Sequence, residues 1–172
     1  CKNNDVSYYR GSEKNVFSRF IDVIDQNNFN IVVRITGDNP IINTSALVKL
    51  IKSHIKKNAD YSSTVNLPLG LNLELFNPKS LLFYKEKTLT NYEKEHVTIV
   101  LKSDLSISKN VINYKHNNSN KFRLTLDYPE DYFVMSTILA YSFLNNKSPH
   151  QSFIQIAEHS PWIFEVNKNC KK

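Results

Sequence analysis

Two patterns of apolar residues alternate along the chain, helical stripes and short β-branched runs, and their succession predicts an α/β fold. From Glu13 to about Asn27, Val16, Phe17, Phe20, Val23 and Ile24 recur at helical spacing. Ser12, in the turn Arg10-Gly11-Ser12, is placed to cap this helix, and Asn27-Asn28 to end it. A short strand over 6–9 (VSYY) precedes it, and a buried strand over 31–36 (IVVRIT) follows it. Such a strand–helix–strand unit is the local signature of a parallel sheet. Asn43-Thr44-Ser45 then caps a second amphipathic helix whose inward positions are Leu47, Leu50, Ile51 and Ile55. A strand is expected at 60–64. Period-two alternation over 71–76 sets Leu71, Leu73 and Leu75 against Asn72 and Glu74, the mark of a half-buried strand. Helices are expected over 78–87 and 91–102, and a strand at 111–114. Arg123–Asp127 reads as a strand, followed by a helix that opens at Pro129 and runs to about Leu144. A last helix over 151–158 leads to a tail in which Trp162 is expected as a core or interface residue.

Composition narrows this picture without changing it. A chain of 172 residues, 41% hydrophobic and 12% aromatic, fits one domain with a sizeable core, and we expect a single domain over 1–172. No apolar run reaches the length of a membrane span, and the opening CKNNDVSYYRG is not that of a signal peptide. Since it does not start with Met, the chain reads as a piece of a longer protein. The net charge of +6 is spread along the whole length without a basic stripe interleaved with aromatics. That favours small polyanionic ligands over nucleic acid, and no membrane partner is expected. The two cysteines, Cys1 and Cys170, form neither a metal spacing nor a disulfide framework, which points to a reducing, cytoplasmic setting.

Two strand ends carry the candidate chemistry. The run Ile31–Thr36 stops at Gly37-Asp38-Asn39-Pro40, and the later strand stops at Asp127. Ligands of open α/β sheets gather at the carboxyl ends of strands. Each aspartate alone is most simply a turn or cap residue. At one sheet edge, the pair can hold a hard divalent cation through oxygen, because Mg²⁺ takes one or two carboxylates and completes its shell with water and phosphate. That arrangement suits transfer at a phosphate, where positioning and charge neutralisation do most of the catalysis. Nearby, Arg34 can pair with an acid at the sheet edge, Glu130 and Asp131 suit the helix start, and Arg123 can balance them.

The succession RGSEKNVFSRF, VVRITGDNP, GLNLELF, EKEHVT and RLTLDYPEDY, spanning about Tyr8 to Trp162, resembles the cytidylyltransferases that activate acidic sugars. The likeness is greatest to the SpsF-like, spore-coat polysaccharide branch, related to the CMP-sialic, pseudaminic and 3-deoxy-manno-octulosonic acid synthetases. The resemblance implies a Rossmann-like, GT-A-type three-layer α/β sandwich with a mixed, mostly parallel sheet. It implies transfer of CMP from CTP to an acidic sugar with release of pyrophosphate, with Mg²⁺ as cofactor held by Asp38 and Asp127. It further implies that His96 contacts the sugar acid, that Arg34, Thr36, Gly37, Asn39 and Glu74 line the pocket, and that Arg10 and Ser12 approach the nucleotide. A homodimer is expected from the same resemblance.

Two departures stand out. The family's first strand and its basic loop, of the form Ala-Arg-x-x-Ser-x-Arg-x-Pro-x-Lys, have no counterpart here, so this stretch alone is expected to be inactive. Asn72 stands where relatives often carry an acid. Two alternatives remain open at this point: a GT-A glycosyltransferase, which would call for an Asp-x-Asp motif where this chain has Gly37-Asp38-Asn39, and a non-catalytic sugar-nucleotide-binding module.

Overall fold

A computed structural model describes residues 4–115 and 121–170. Its order is α1 (Val16–Asp25), β1 (Val32–Arg34), α2 (Thr44–Lys57), β2 (Tyr61–Val65), β3 (Glu74–Phe76), α3 (Pro78–Leu82), α4 (Asn91–His96), α5 (Ile99–Ser103), β4 (Lys109–Asn113), α6 (Pro129–Leu144), α7 (Pro149–His159) and a 3₁₀ turn, Pro161–Glu165. The strands hydrogen-bond in the order β1-β3-β2-β4, a mixed sheet with parallel pairs. The alternating elements predicted an α/β fold, and this one is Rossmann-like, as the resemblance implied.

Contacts divide the chain into two compact units. One comprises the chain up to Val33 with His54–Ser62 and Leu75–Asn110; the other comprises Arg34–Ser53, Ser63–Glu74 and Val111 onward.

The first unit is built on α1. Asn15, not Ser12, caps this helix, its side chain accepting from the Ser18 amide at 3.0 Å, while the Ser12 hydroxyl accepts from the Asn15 amide one turn earlier. The apolar stripe buries Phe17, Ile21 and Ile24 against Tyr61, Phe76, Leu81, Tyr84, Val97, Val100 and Leu101. Phe20 packs on Phe76, its ring centroid 6.4 Å away. The expected strand at 6–9 does not form: Val6, Tyr8 and Tyr9 are all exposed, so neither face of the segment has a surface to pack on. Tyr9 instead donates to Asp22 on α1. The single helix expected over 91–102 is two, because buried Val97 takes φ 48, a conformation that a β-branched residue rarely adopts and that no helix continues through. The helix expected over 78–87 gives way to turns after Leu82.

A polar cluster ties together the starts of β2 and β4. Asp60 accepts from the Ser108 amide at 2.8 Å, from the Ser108 hydroxyl and from Ser80, and the Ser108 amide bond leads in holding its carboxyl below the ordinary range. Beside it, His54 is 5% exposed, with Nδ1 2.8 Å from the hydroxyl of fully buried Ser62. The pattern along α2 had placed Ile55 inward; instead Ile55 is exposed and His54 takes the buried position, its ring satisfied by Ser62. Burial lowers the His54 pKa below 6.5, and the nearby Asp60 charge opposes this only in part. A histidine buried neutral contributes stability that is fully present above its unfolded pKa and falls as pH drops below about 6.5, where the unfolded chain binds the extra proton. The urea midpoint is therefore expected to decline between pH 7 and pH 5, and the decline should be shallower in His54→Gln. His150, lowered by burial too, adds to the slope, so part of it persists. An identical slope in both proteins would contradict the assignment.

The second unit packs α6 on α7 and α7 on the 3₁₀ turn. Phe122, Phe153 and Phe164 meet edge to face with centroids 4.9–5.7 Å apart. Trp162 is exposed, and its neighbours Ile163 and Phe164 supply the core contacts instead. The alternation at 71–75 holds: Leu71, Leu73 and Leu75 are buried, although regular pairing begins only at Glu74. The segment 123–127 is not a regular strand, and Asp127 sits in a bend. It makes one parallel bridge, Leu69 to Arg123, and the Leu124 amide donates to the Leu69 carbonyl at 2.8 Å.

Gly70 permits that approach. Its φ is +94°, and a Cβ there would lie 2.1 Å from the Leu124 carbonyl oxygen. Gly70→Ala must therefore strain the backbone and push two segments apart. A loss of about 2–3 kcal/mol is expected, measurable as a lower urea midpoint; an unchanged midpoint would contradict this close contact.

Candidate active site

The turn after β1 closes on itself. The Asn39 amide donates to the Thr36 carbonyl at 3.1 Å, and the Asn39 side chain donates to the Thr36 hydroxyl at 2.7 Å. This local pairing is what a short amide side chain does at a turn. Asp38 stands exposed at the tip. A Cβ on Gly37 would meet no atom within 4 Å, so packing within the chain does not require glycine there.

The Asp38 carbonyl accepts from the Leu126 amide at 2.8 Å. One backbone bond thus joins the Gly-Asp turn to the residue immediately before Asp127. The two acidic turns that the sequence singled out are neighbours in space.

Asp127 is held from below. Its Oδ2 accepts from Arg123 Nη2 at 2.5 Å, while Arg123 Nε donates to Asp131 at 2.9 Å and 3.1 Å, and the guanidinium lies 5.4 Å from the Tyr128 ring centre. Asp131, in the first turn of α6, is fully buried. Its Oδ2 accepts from the amides of Asp127 and Tyr128, both at 3.1 Å. Burial penalises the Asp131 charge, but Arg123, Asn167 and the two amides outweigh that and hold the carboxyl below its ordinary range. In return, Asp131 raises the Arg123 pKa against the cost of its own burial.

Arg34 pairs with Glu74 at 3.6 Å, both side chains mostly buried. Asn72, where relatives often have an acid, turns back to its own loop, donating to the Leu67 carbonyl at 3.3 Å. The same unit contains a cavity of about 530 Å³, floored by Leu67, Leu71 and Phe153 and edged by Asn43, His150 and Glu158.

Arg34, Thr36, Gly37, Asp38, Asn39, Glu74 and Asp127 therefore share one unit. Arg10, Ser12 and His96 belong to the other. There Arg10 lies 5.8 Å from the Tyr8 ring centre, Ser12 serves the approach to α1, and His96 meets Tyr92 edge to face with centroids 4.3 Å apart. The sequence reading did not find Asn167, which reaches Asp131 and the Arg123 carbonyl from beyond the 3₁₀ turn. No local pattern marks it, since it is one asparagine in a polar tail. Cys1 lies outside the described residues.

Among the described residues there is no cluster of three or more His, Cys, Asp or Glu that would cage a metal. Two carboxylates on adjacent turns suit a hard cation that retains water and takes phosphate oxygens. Asp127 commits one oxygen to Arg123 and keeps the other available, so the donor set fits such an ion.

The described residues form a Rossmann-like α/β fold in which the two acidic turns adjoin. The chain belongs to the cytidylyltransferase family, whose model matches residues 2–160. It is 30% identical over 176 residues to the protein MJ1063 of Methanocaldococcus jannaschii, covering all of this chain and 71% of that one. It is 29% identical over 137 residues to the spore coat polysaccharide biosynthesis protein SpsF of Bacillus subtilis, covering 77% of this chain and 56% of SpsF. A solved cytidylyltransferase from Leptospira borgpetersenii shares the fold, with a TM-score of 0.84 at 24% identity over 99% of this chain and 72% of that one. Among the described residues, no helix is long and apolar enough to cross a membrane.

Proposed function

We propose that the full-length protein transfers CMP from CTP to an acidic sugar with release of pyrophosphate, in the making of a surface polysaccharide. Membership of the cytidylyltransferase family and likeness to a spore coat polysaccharide protein support the reaction class. The observation that carries the reading is the 2.8 Å bond between the Leu126 amide and the Asp38 carbonyl, which makes Asp38 and Asp127 neighbours.

In this reading a sugar hydroxyl oxygen forms a bond to the α-phosphorus of CTP and gives up its proton to solvent, the α–β anhydride bond breaks, and pyrophosphate leaves. Asp38 and Asp127 would hold Mg²⁺, which when bound supplies charge neutralisation at the triphosphate. Arg123 fixes the Asp127 carboxylate, and Asp131 fixes the backbone on which it sits. Arg34 and Glu74, mutually paired, would present fixed charges to the substrates. His96 would meet the sugar carboxylate, and Arg10 and Ser12 the nucleotide. A homodimer is part of the proposal.

The test is to incubate the full-length protein with CTP, Mg²⁺ and a panel of acidic sugars. Pyrophosphate and a CMP-sugar should form with one of them. Release of a nucleoside phosphate from a ready-made nucleotide sugar would favour a glycosyltransferase. Binding of CTP without turnover of any acid would favour a non-catalytic module.

A further inference from the structure

Asn167 is fully buried, although it lies in the polar tail beyond the 3₁₀ turn. Its Nδ2 donates to Asp131 Oδ1 at 2.8 Å and to the Arg123 carbonyl at 3.0 Å. Its Oδ1 is buried with no partner among the described residues. An amide enclosed on those terms is costly to keep unless its two donated bonds matter.

One of them meets the Asp131 carboxylate, whose other bonds go to Arg123 and to the amides of Asp127 and Tyr128. Asp131 Oδ1 receives Asn167 and Arg123 Nε. Asp131 Oδ2 receives the backbone amides of Asp127 and Tyr128. The remaining arm of Arg123 grips the Asp127 carboxylate itself. Asp127 is thereby fixed twice, through its main chain and through its side chain, and both restraints originate at Asp131. Asn167 locks Asp131 at the far end and also holds the Arg123 backbone, so it ties the C-terminal segment to the acidic turn.

We propose that Asn167 is a positioning residue: with Asp131 and Arg123 it sets the orientation of the Asp127 carboxylate toward the cation and triphosphate. The link to the cation rests on the functional reading above; the fixing of the turn does not. Groups that orient a metal ligand from behind typically change metal affinity about 10–100-fold when removed.

The experiment reads the two parts separately. Hydrogen exchange of the metal-free full-length protein comes first. Asn167→Ala should speed exchange of the Asp127 and Tyr128 amides about tenfold, while amides deep in α6, such as Ile138, keep their protection. Unchanged exchange at 127 and 128, or a uniform rise throughout α6, would overturn the positioning role. Mg²⁺ titration of pyrophosphate release comes second. The Mg²⁺ concentration for half-maximal activity should rise about tenfold, with the rate at saturating Mg²⁺ changed far less. An unchanged Mg²⁺ requirement, with the wild type active, would overturn the link to the cation. Arg123→Lys keeps the charge but loses the planar fork that bridges two carboxylates, so it should give the same pattern and serves if Asn167→Ala does not fold. If the wild type releases no pyrophosphate with any acid, the functional reading fails, and the exchange data still decide whether Asn167 fixes the turn.

Discussion

Asp127→Asn in the full-length protein is expected to abolish Mg²⁺-dependent pyrophosphate release while leaving the fold intact, and Asp38→Asn is expected to do the same. An electrostatic contact aimed at charge developing on a transferring group is worth about 10²–10³ in turnover, and each carboxylate provides half of the charge that the protein itself would turn toward the cation. The fold should tolerate both changes for different reasons. Asp38 is exposed at its turn, and only its backbone carbonyl bonds to Leu126. Asp127 is exposed over 38% of its side chain, so its pair with Arg123 is partly screened and worth no more than about 1 kcal/mol. An asparagine there keeps an oxygen for Arg123. Thermal melting and turnover, measured on the same preparations, check this: full activity in both variants would remove the metal assignment, and a large fall in Tm would show that the aspartates are structural.

Asp131→Asn is expected to do the opposite and cost stability first. Asp131 is wholly buried and is the acceptor for four donors, among them a guanidinium that is itself 8% exposed. The amide has the same shape but lacks the charge, and one of its two polar ends presents hydrogens where two backbone amides already point. Breaking a buried pair by removing one charge typically costs about 3–5 kcal/mol. The pH dependence follows from the same contacts. Because the folded-state pKa lies below the ordinary value near 3.8, the stabilisation is complete above that value and is lost as pH falls through the folded pKa. Denaturant unfolding at pH 7 should show the loss in full. As pH falls through the folded-state pKa the gap between variant and wild type should narrow, since the wild type then loses the charge that the variant lacks. A gap that stays constant down to acid would mean that the cost is one of shape and not of charge.

The parts of the fold that were legible in the sequence are those fixed by local physics. The Asn43 cap, Pro129 at the head of α6 and the alternation at 71–75 all appear as written, and the stripe of α1 does so with Ile21 added and Val23 only half-buried, because periodicity and capping depend on neighbours in the chain. The failures have a common cause in tertiary context. Segment 6–9 has strand-forming residues but no surface to pack on. Val97 is bent out of a helix that its own neighbours favour. His54 displaces Ile55 from the interior because Ser62, on a different element, satisfies its ring. The acidic pair was legible because each aspartate ends a run that reads as a strand, but their adjacency rests on a backbone bond between turns far apart in the sequence. Arg123 could be foreseen as a partner of the acids near it, whereas Asn167 could not, because its role depends wholly on where the last turn of chain returns.

Anomalous diffraction from crystals of the full-length protein grown with CTP and Mn²⁺ in place of Mg²⁺ addresses the shared cation without relying on turnover. The expected result is one Mn²⁺ peak about 2.1 Å from an oxygen of Asp38 and an oxygen of Asp127, with triphosphate oxygens in the same shell. A Mn²⁺ ion bound to the triphosphate and to neither aspartate would contradict the account.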